Sequence, residues 1–193
     1  VMDIVINGDA NGSFNLTKRN NQHKGFSTGD PTRPNKIMVR RDFIALLYAR
    51  SVLRVYGDPT QAVAGSTGPV SILNITGTIR NFTMTRYGSG ENGILCIKEF
   101  ISGTYTFSLY LLLKTYDSAG KPIYSSTAFR GIYTTKDDYK DLHIAQISNV
   151  DVVISMRAPS KIATNNFKLL YIKYVNGNFV LSGAAAAIPP PGK

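Results

Sequence analysis

The stretch Gly103–Asp117, GTYTFSLYLLLKTYD, constrains the fold of this chain more than any other. Read with a period of two residues, one side consists of Tyr105, Phe107, Leu109, Leu111 and Leu113. Such alternation is typical of a β-strand, because successive side chains point to opposite faces of a sheet. The other side has Tyr110 and Leu112 in its middle, which indicates that the second face is also partly covered. We therefore predict that this stretch is the central strand of an antiparallel sheet.

Length and composition favour one domain with tails. At 193 residues the chain is long enough to bury a sizeable core. Valine, isoleucine, threonine and tyrosine are plentiful, which favours strands. The single cysteine, Cys96, excludes an internal disulfide. It lies in ILCIKEF, where a small buried hydrophobic side chain is expected.

Residues 41–56, RDFIALLYARSVLRVY, predict the longer of two helices. The apolar side chains that cluster at helical spacing, and would face a core, are Ile44, Leu47, Tyr48, Val52 and Val55. Gly57, followed by Asp58-Pro59, is a stop signal. On this helix Arg50 and Arg54 would stack together as a basic ridge. The alternative is a solvated face on which the two arginines cover apolar surface.

Residues 135–148 predict a second, shorter helix. Thr135 with Asp138 three residues later resembles a capping box, and Asp137 adds negative charge at the favourable end. Its inner residues would be Leu142, Ala145 and Ile147. The predicted fold class is therefore α+β, a single domain in which an antiparallel β-sheet packs with two helices.

Other strands are predicted from turn signals and changes of parity. The apolar residues of the stretch 73–79 share one parity, whereas Phe82 and Met84 take the other. This switch predicts a bulge or a turn near Arg80-Asn81. Asn176-Gly177, between two strand-like runs, is the strongest hairpin signal in the chain.

Three segments are expected along the chain. Residues 1–36 are rich in Asn, Gly and Pro and predict a flexible basic arm, which is either a solvated tail or a strap onto a neighbouring subunit. Residues 37–183 form the globular α+β domain. Residues 184–193 are expected to be a mobile tail.

The formal net charge of +10 and the pI near 9.7 indicate a polyanionic partner, either nucleic acid or an anionic membrane. The alternative is a basic surface that serves solubility alone. The candidate contact residues are Lys18, Arg19, Lys24, Arg33, Lys36, Arg40, Arg41, Arg50 and Arg54.

Motifs that resemble chemical sites have structural explanations. GSGENG, residues 88–93, matches the spacing of a dinucleotide-binding loop, but it leads into a predicted strand, so a hairpin loop is favoured. His23 and His143 stand far apart, and with one cysteine they give no metal-ligand spacing. Tyrosines among basic residues, such as Tyr105 and Tyr133, are expected to pack in the sheet rather than stack on bases.

No catalytic residue, metal or cofactor is therefore expected, and the chain is predicted to be non-enzymatic. No nucleophile-elbow pattern occurs in the sequence. A Ser-His-Asp triad stays open, because the members of a triad are brought together in space rather than along the chain.

The order of elements over residues 36–183 resembles that of the matrix proteins of rhabdoviruses, which are enveloped negative-strand RNA viruses. The matching run is a loop-rich arm, RRDFIALLYARSVLRVYG, strands from SILNITG, SGTYTFSLYLLLKTYDSAGKP, DDYKDLHIAQIS and closing strands that end in NGNFVLSG. The resemblance implies a small antiparallel sheet packed with helices and a basic N-terminal arm that docks on a neighbour. Many members carry Pro-Pro-x-Tyr near the N-terminus. Here the only proline run is IPPPG, residues 188–192, without a tyrosine.

The leading hypothesis is a non-enzymatic viral matrix structural protein that self-associates, condenses the helical nucleocapsid and links it to the envelope. The implied partners are a homo-oligomer lattice, the viral nucleocapsid of nucleoprotein and RNA, and the anionic inner leaflet. The implied location is the virion beneath the envelope, and the host cytoplasm or nucleus and membranes during infection. The alternative is a non-enveloped viral coat protein with a β-sandwich that packages nucleic acid through its basic arm; the two predicted helices fit it less well.

Overall fold

A computed structural model describes residues 3–8, 14–19, 37–40, 43–57, 70–88, 90–159 and 167–186. In these residues the chain forms fourteen β-strands and no helix. The strands are β1 (Asp3–Gly8), β2 (Phe14–Arg19), β3 (Ile37–Arg40), β4 (Phe43–Ala49), β5 (Val52–Tyr56), β6 (Ser71–Asn74), β7 (Thr78–Tyr87), β8 (Asn92–Ile101), β9 (Thr104–Tyr116), β10 (Pro122–Thr135), β11 (Lys140–Gln146), β12 (Val152–Arg157), β13 (Phe167–Val175) and β14 (Asn178–Ala186).

Strands β7 to β10 form the central sheet, in the spatial order β10-β9-β8-β7. β9 is an interior strand of this antiparallel sheet, as the alternating pattern predicted. Phe107 and Leu109 are buried on one face of β9, and Tyr110 and Leu112 are buried on the other. The central sheet is thus covered on both faces, which explains why β9 is apolar on both sides.

Two further four-stranded antiparallel sheets cover the central sheet. The N-terminal sheet, β3-β4-β5-β6, covers one face, where Phe43, Leu53 and Val55 pack with Leu95 and Leu112. The C-terminal sheet, β11-β12-β13-β14, covers the opposite face. The cluster between it and the central sheet includes Ile94, Cys96, Phe107, Leu109, Ile154, Leu170 and Ile172. The described body is therefore a stack of three antiparallel layers, while β1 pairs with β2 in a separate hairpin.

The predicted helix at residues 41–56 is wrong, because this stretch forms the hairpin of β4 and β5. The turn at Arg50-Ser51 is held by backbone hydrogen bonds, since the two carbonyls accept from the amides of Ile79 and Ile75 at 2.7 and 2.8 Å. The side chains that reach the core follow a period of two in each strand, as in Leu53 and Val55. The second apolar face of the central sheet has to be covered, and two paired strands with alternating apolar side chains cover it, so this packing outweighs the helical propensity of the segment.

The second predicted helix, at residues 135–148, is also wrong. A loop follows Thr135, and the chain then forms strand β11. Leu142 is buried as predicted, but Ala145 is exposed, because alternate residues of a strand face solvent. Ile147 is also exposed, since it lies after the end of β11, in the connection to β12. The hydroxyl of Thr135 accepts a hydrogen bond from the amide of Asp137 at 3.1 Å, so the capping-box pattern forms a local turn. The fold class is all-β rather than α+β.

The predicted turns and the parity switch are confirmed. The register of β7 against β8 shifts between Ile79 and Asn81, where the switch predicted a bulge or a turn. Asn176 and Gly177 both have positive φ, 49° and 83°, as the tight turn between β13 and β14 requires. The predicted GSGENG hairpin loop lies between β7 and β8, which pair as an antiparallel hairpin with Asn92 and Gly93 already in β8. Cys96 is buried as expected, and burial raises the pKa of its thiol.

Truncating either apolar face of β9 should destabilise the protein strongly. We expect Leu109→Ala and Leu112→Ala each to lower the free energy of unfolding by about 2–5 kcal/mol, because each leaves a cavity between two layers. Ile123→Ala is the control, since Ile123 is 50% exposed on β10 and should cost far less. Urea unfolding of the three variants measures these costs. A Leu112→Ala cost equal to that of the control would contradict the burial of the second face.

Candidate polyanion-contact surfaces

A recess of about 390 Å³ opens where the central sheet meets the loop before β11. Its lining comes from β7, β8 and β9 of the central sheet, from the loop 136–139 and from the start of β11. The lining residues are Arg80, Asn81, Lys98, Tyr105, Asp138, Tyr139, Lys140 and Asp141. We call this concavity the Lys98 recess, after its most buried charged residue.

Lys98 lies on β8 with the parity of Ile94 and Cys96, so its side chain enters the layer between the central and C-terminal sheets. Only 3% of the side chain is exposed. Its ammonium group donates hydrogen bonds to Oδ1 of Asp138, at 2.5 Å, and to the carbonyl oxygen of Tyr139. Burial lowers the pKa of Lys98, and the hydrogen bond to Asp138 opposes this effect.

The ammonium group of Lys98 also lies 4.5 Å from the centroid of the Tyr105 ring. The negative face of an aromatic ring attracts a cation, and more strongly where water is excluded. The Asp138 carboxylate, the Tyr139 carbonyl and the Tyr105 ring thus surround the ammonium group, and they offset the cost of burying its charge in an apolar layer. Lys98 ties β8 and β9 of the central sheet to the loop that begins the C-terminal sheet.

Both carboxylates of the recess are engaged by cations. Asp138 accepts hydrogen bonds from Lys98 and Lys140. Burial by itself raises the pKa of Asp138, but the hydrogen bonds from Lys140 and Lys98 outweigh it, so the pKa is lowered. Asp141 lies at a register shift in β11, with a φ of 50°, and accepts from Nε of Arg157 at 2.6 Å.

Lys168 extends the basic cluster from β13. Its ammonium group lies 4.6 Å from the ring centroid of Tyr133 and 5.3 Å from that of Tyr139, and it donates to the Tyr133 hydroxyl. Burial lowers the pKa of Lys168, but the interactions with Tyr133 and Tyr139 outweigh it, so the pKa is raised. In the described ranges, no group of three His, Cys, Asp or Glu side chains could hold a metal ion. The contacts of the recess thus fasten two layers together.

The outer face of the C-terminal sheet is the second feature of note. Cross-strand pairing places Val153 beside Tyr171 and Arg157 beside Phe167, all facing away from the core. Phe167 is 43% exposed, Tyr171 is 38% exposed and Val180 on β14 is 44% exposed. Lys173, which pairs with Val180, is exposed as well. We call this surface the C-terminal outer face.

Acidic residues are absent from this part of the sequence. Residues 152–193 contain no Asp or Glu, whereas they contain five lysines and arginines. On β11 to β14 the single carboxylate is Asp141, which already pairs with Arg157. The C-terminal outer face therefore combines exposed apolar side chains with the exposed cation Lys173, and with Arg157, whose charge Asp141 offsets. Apolar surface and cations together are typical of contacts with anionic lipid headgroups.

The residues predicted to contact polyanions fall in separate places. Lys18 and Arg19 end β2, and Arg40 ends β3. Arg50 is exposed in the β4–β5 turn and Arg54 is half-buried on β5, so they do not stack as helix neighbours. Lys24, Arg33, Lys36 and Arg41 lie outside the described residues.

Sequence analysis missed Lys98, Lys168 and Lys173, although the sequence carries a signal for Lys98 and for Lys173. In ILCIKEF the lysine shares parity with Ile94 and Cys96, which predicts a buried lysine that needs an acidic partner. In FKLLYIKYV, alternation places Lys173 on the side of Phe167 and Tyr171, opposite the core residues Leu170 and Ile172. The absence of acidic residues after position 151 was the third signal.

No family model, curated protein or solved structure matches this chain. Among the described residues, no helix has the length and apolarity to cross a membrane. The resemblance to rhabdovirus matrix proteins thus rests on the order of elements. The two helices in that order are strands here.

Replacing Lys98 should destabilise the interlayer contact. In Lys98→Met the Tyr139 carbonyl loses its buried donor, and we expect the free energy of unfolding to fall by about 1–3 kcal/mol. This is less than for a fully buried pair, since Asp138 is 35% exposed and keeps Lys140. Chemical denaturation measures the change, with the exposed Lys121→Met as control. An unchanged Lys98→Met would show that the contact contributes nothing to stability.

Proposed function

We propose that the protein is a non-enzymatic structural protein, of viral matrix type, that self-associates and links a nucleic-acid-containing particle to an anionic membrane. The observation that carries this proposal is the C-terminal outer face, where the exposed side chains of Phe167, Tyr171 and Val180 lie on the same face as the cation Lys173, on strands β12 to β14 that contain no carboxylate. The net charge of +10 provides the long-range attraction to both polyanions.

Lipid contact follows from the chemistry of this face. Each lysine or arginine near an anionic leaflet contributes about 1 kcal/mol. Phe167, Tyr171 and Val180 add apolar area that can enter the headgroup region, at about 25 cal/mol per Å² removed from water. A tyrosine suits that depth because its ring is apolar and its hydroxyl stays hydrated. Neither the electrostatic nor the apolar contribution alone gives firm binding, but both arise on the same face of the C-terminal sheet and therefore add.

The second polyanion contact is assigned to the N-terminal part of the chain. Residues 1–54 hold nine of the 22 lysines and arginines and four of the 12 acidic residues. They include all nine residues proposed to contact polyanions. Basic segments of this kind bind the phosphate backbone with little sequence preference and strong dependence on salt. Two cationic regions at different places in the chain would let one subunit bridge membrane and nucleocapsid.

Co-sedimentation with liposomes tests the lipid contact. Wild-type protein should sediment with anionic liposomes at low salt, less at physiological salt, and not with neutral liposomes. Lys173→Glu should weaken anionic binding roughly tenfold, because it replaces attraction with repulsion at the outer face. Lys121→Glu, an equal change of charge at an exposed turn, is the matched control. Tyr171→Ser should weaken binding without changing charge.

Equal losses in Lys173→Glu and Lys121→Glu would mean that net charge, and not this face, governs binding. Absence of anionic binding by the wild type would remove the lipid contact from the proposal altogether. Circular dichroism of each variant shows that it is folded, and both lysines are exposed, so neither substitution disturbs the core.

The second candidate is a viral coat protein that packages nucleic acid through its basic N-terminal part. It is favoured by the all-β body, since the helices that fitted this candidate poorly are strands. Electron microscopy of assemblies formed with single-stranded RNA separates the two candidates. Closed shells, with no binding to liposomes, support a coat protein. Helical or sheet-like lattices on anionic liposomes support a matrix-type protein.

A further inference from the structure

The free edge of β14 differs from the other sheet edges in the described part of the chain. β14 ends the order β11-β12-β13-β14, so one row of its backbone groups has no neighbouring strand in the sheet. Its sequence, NFVLSGAAA, has no charge and no proline. Other edges carry such residues: Arg80 and Arg86 on β7, Pro122 and Arg130 on β10, Lys140 and Asp141 on β11, and Arg40 on β3. β6 has no charge but is four residues long.

Charges and prolines on edge strands are the usual protection against pairing with another chain. β14 retains one milder protection, a register shift between Tyr171 and Ile172 of β13 that leaves Ser182 as the extra residue. The Ser182 hydroxyl donates to the Tyr171 carbonyl at 3.1 Å. Regular four-residue stretches flank this bulge, and Val180 and Leu181 in the first of them are exposed. An edge that is long, uncharged and apolar is suited to strand pairing.

We propose that β14 pairs antiparallel with the β14 of a second copy of this chain. The inference rests on the self-association in the proposed function, for which it names the surface. A second copy fits because two uncharged β14 strands, one from each copy, can pair without electrostatic repulsion. Two copies of the outer face, which carries Lys173, would instead repel each other. In an antiparallel pair the two identical edges satisfy each other's amide and carbonyl groups about a two-fold axis.

This pairing has a geometric consequence for lipid binding. The two-fold axis of an antiparallel strand pair is perpendicular to the sheet, so both copies keep the same face on the same side. Two C-terminal sheets would join into one eight-stranded sheet, with both C-terminal outer faces directed at a single plane. A planar membrane could then engage both faces, and the second contact would be intramolecular.

Sedimentation velocity without lipid tests the pairing. Wild-type protein should be dimeric at micromolar concentration, and Leu181→Pro should raise the dissociation constant at least tenfold. Asn178 forms the closing pair with Val175, so the amide of Leu181 points away from β13. Proline at this position removes an outward donor and keeps the bonds to β13. Thermal melting shows that the variant folds.

A second pair of variants covers the case in which Leu181→Pro does not fold. Val180→Lys should also raise the dissociation constant, since it places like charges on the paired edges. Ile123→Lys, the same kind of change on edge strand β10 at similar exposure, should leave the dimer intact. Equal behaviour of these two variants, or a wild type that stays monomeric, overturns the pairing.

The two proposals fail separately. If Lys173→Glu loses liposome binding while the dimer stays intact, the result bears on the lipid contact and not on the pairing of β14. Leu181→Pro does not change the charge of the protein. If the folded monomeric variant binds liposomes more weakly than the wild type, this supports the inference that both outer faces of the dimer contact one membrane. Full liposome binding by a monomeric Leu181→Pro variant would contradict the inference that two outer faces bind one membrane together. It would not contradict the proposed lipid contact of a single outer face.

Discussion

Burial of the central sheet on both faces is the constraint on which the rest of the structure depends. Leu109 and Leu112 lie on the same strand, β9, yet are buried in different cores, so both faces of β9 are covered. A sheet with two apolar faces requires two covering layers. The N-terminal and C-terminal sheets supply these layers. Because the N-terminal sheet has to cover one face, residues 41–56 form a hairpin there although their sequence also fits a helix.

The same constraint decides where charge can lie. A cation inside a layer needs a complete set of partners, and Lys98 has a carboxylate, a backbone carbonyl and a tyrosine ring. The cations proposed to contact a partner lie on an outer face of the stack, as Lys173 does, or in the N-terminal part of the chain. The proposed lipid contact uses an outer face of the stack, whereas the proposed nucleic-acid contact is assigned from the charges in the sequence of residues 1–54.

Sequence reasoning succeeded where local chemistry is decisive and failed where tertiary structure overrides it. Alternation identified β9, a parity switch located the bulge near Arg80, and Asn176-Gly177 identified a tight turn. The segments at 41–56 and 135–148 satisfy both the helical and the strand pattern over short lengths, so only the covering layers decide between them. The basic residues of the arm were visible in the composition. The recess was not, because Lys98 and Asp138 are distant in sequence and meet only through the packing of two sheets.

Native-state hydrogen exchange tests the central claim most directly, because slow exchange reports backbone amides that open only on global unfolding. The three-layer account predicts that the amides of β8 and β9, which are interior strands covered on both faces, exchange most slowly. Those of β10 and β14 at the sheet edges should exchange faster. Exchange of β9 amides as fast as that of β10 amides would contradict the burial of the central sheet on both faces.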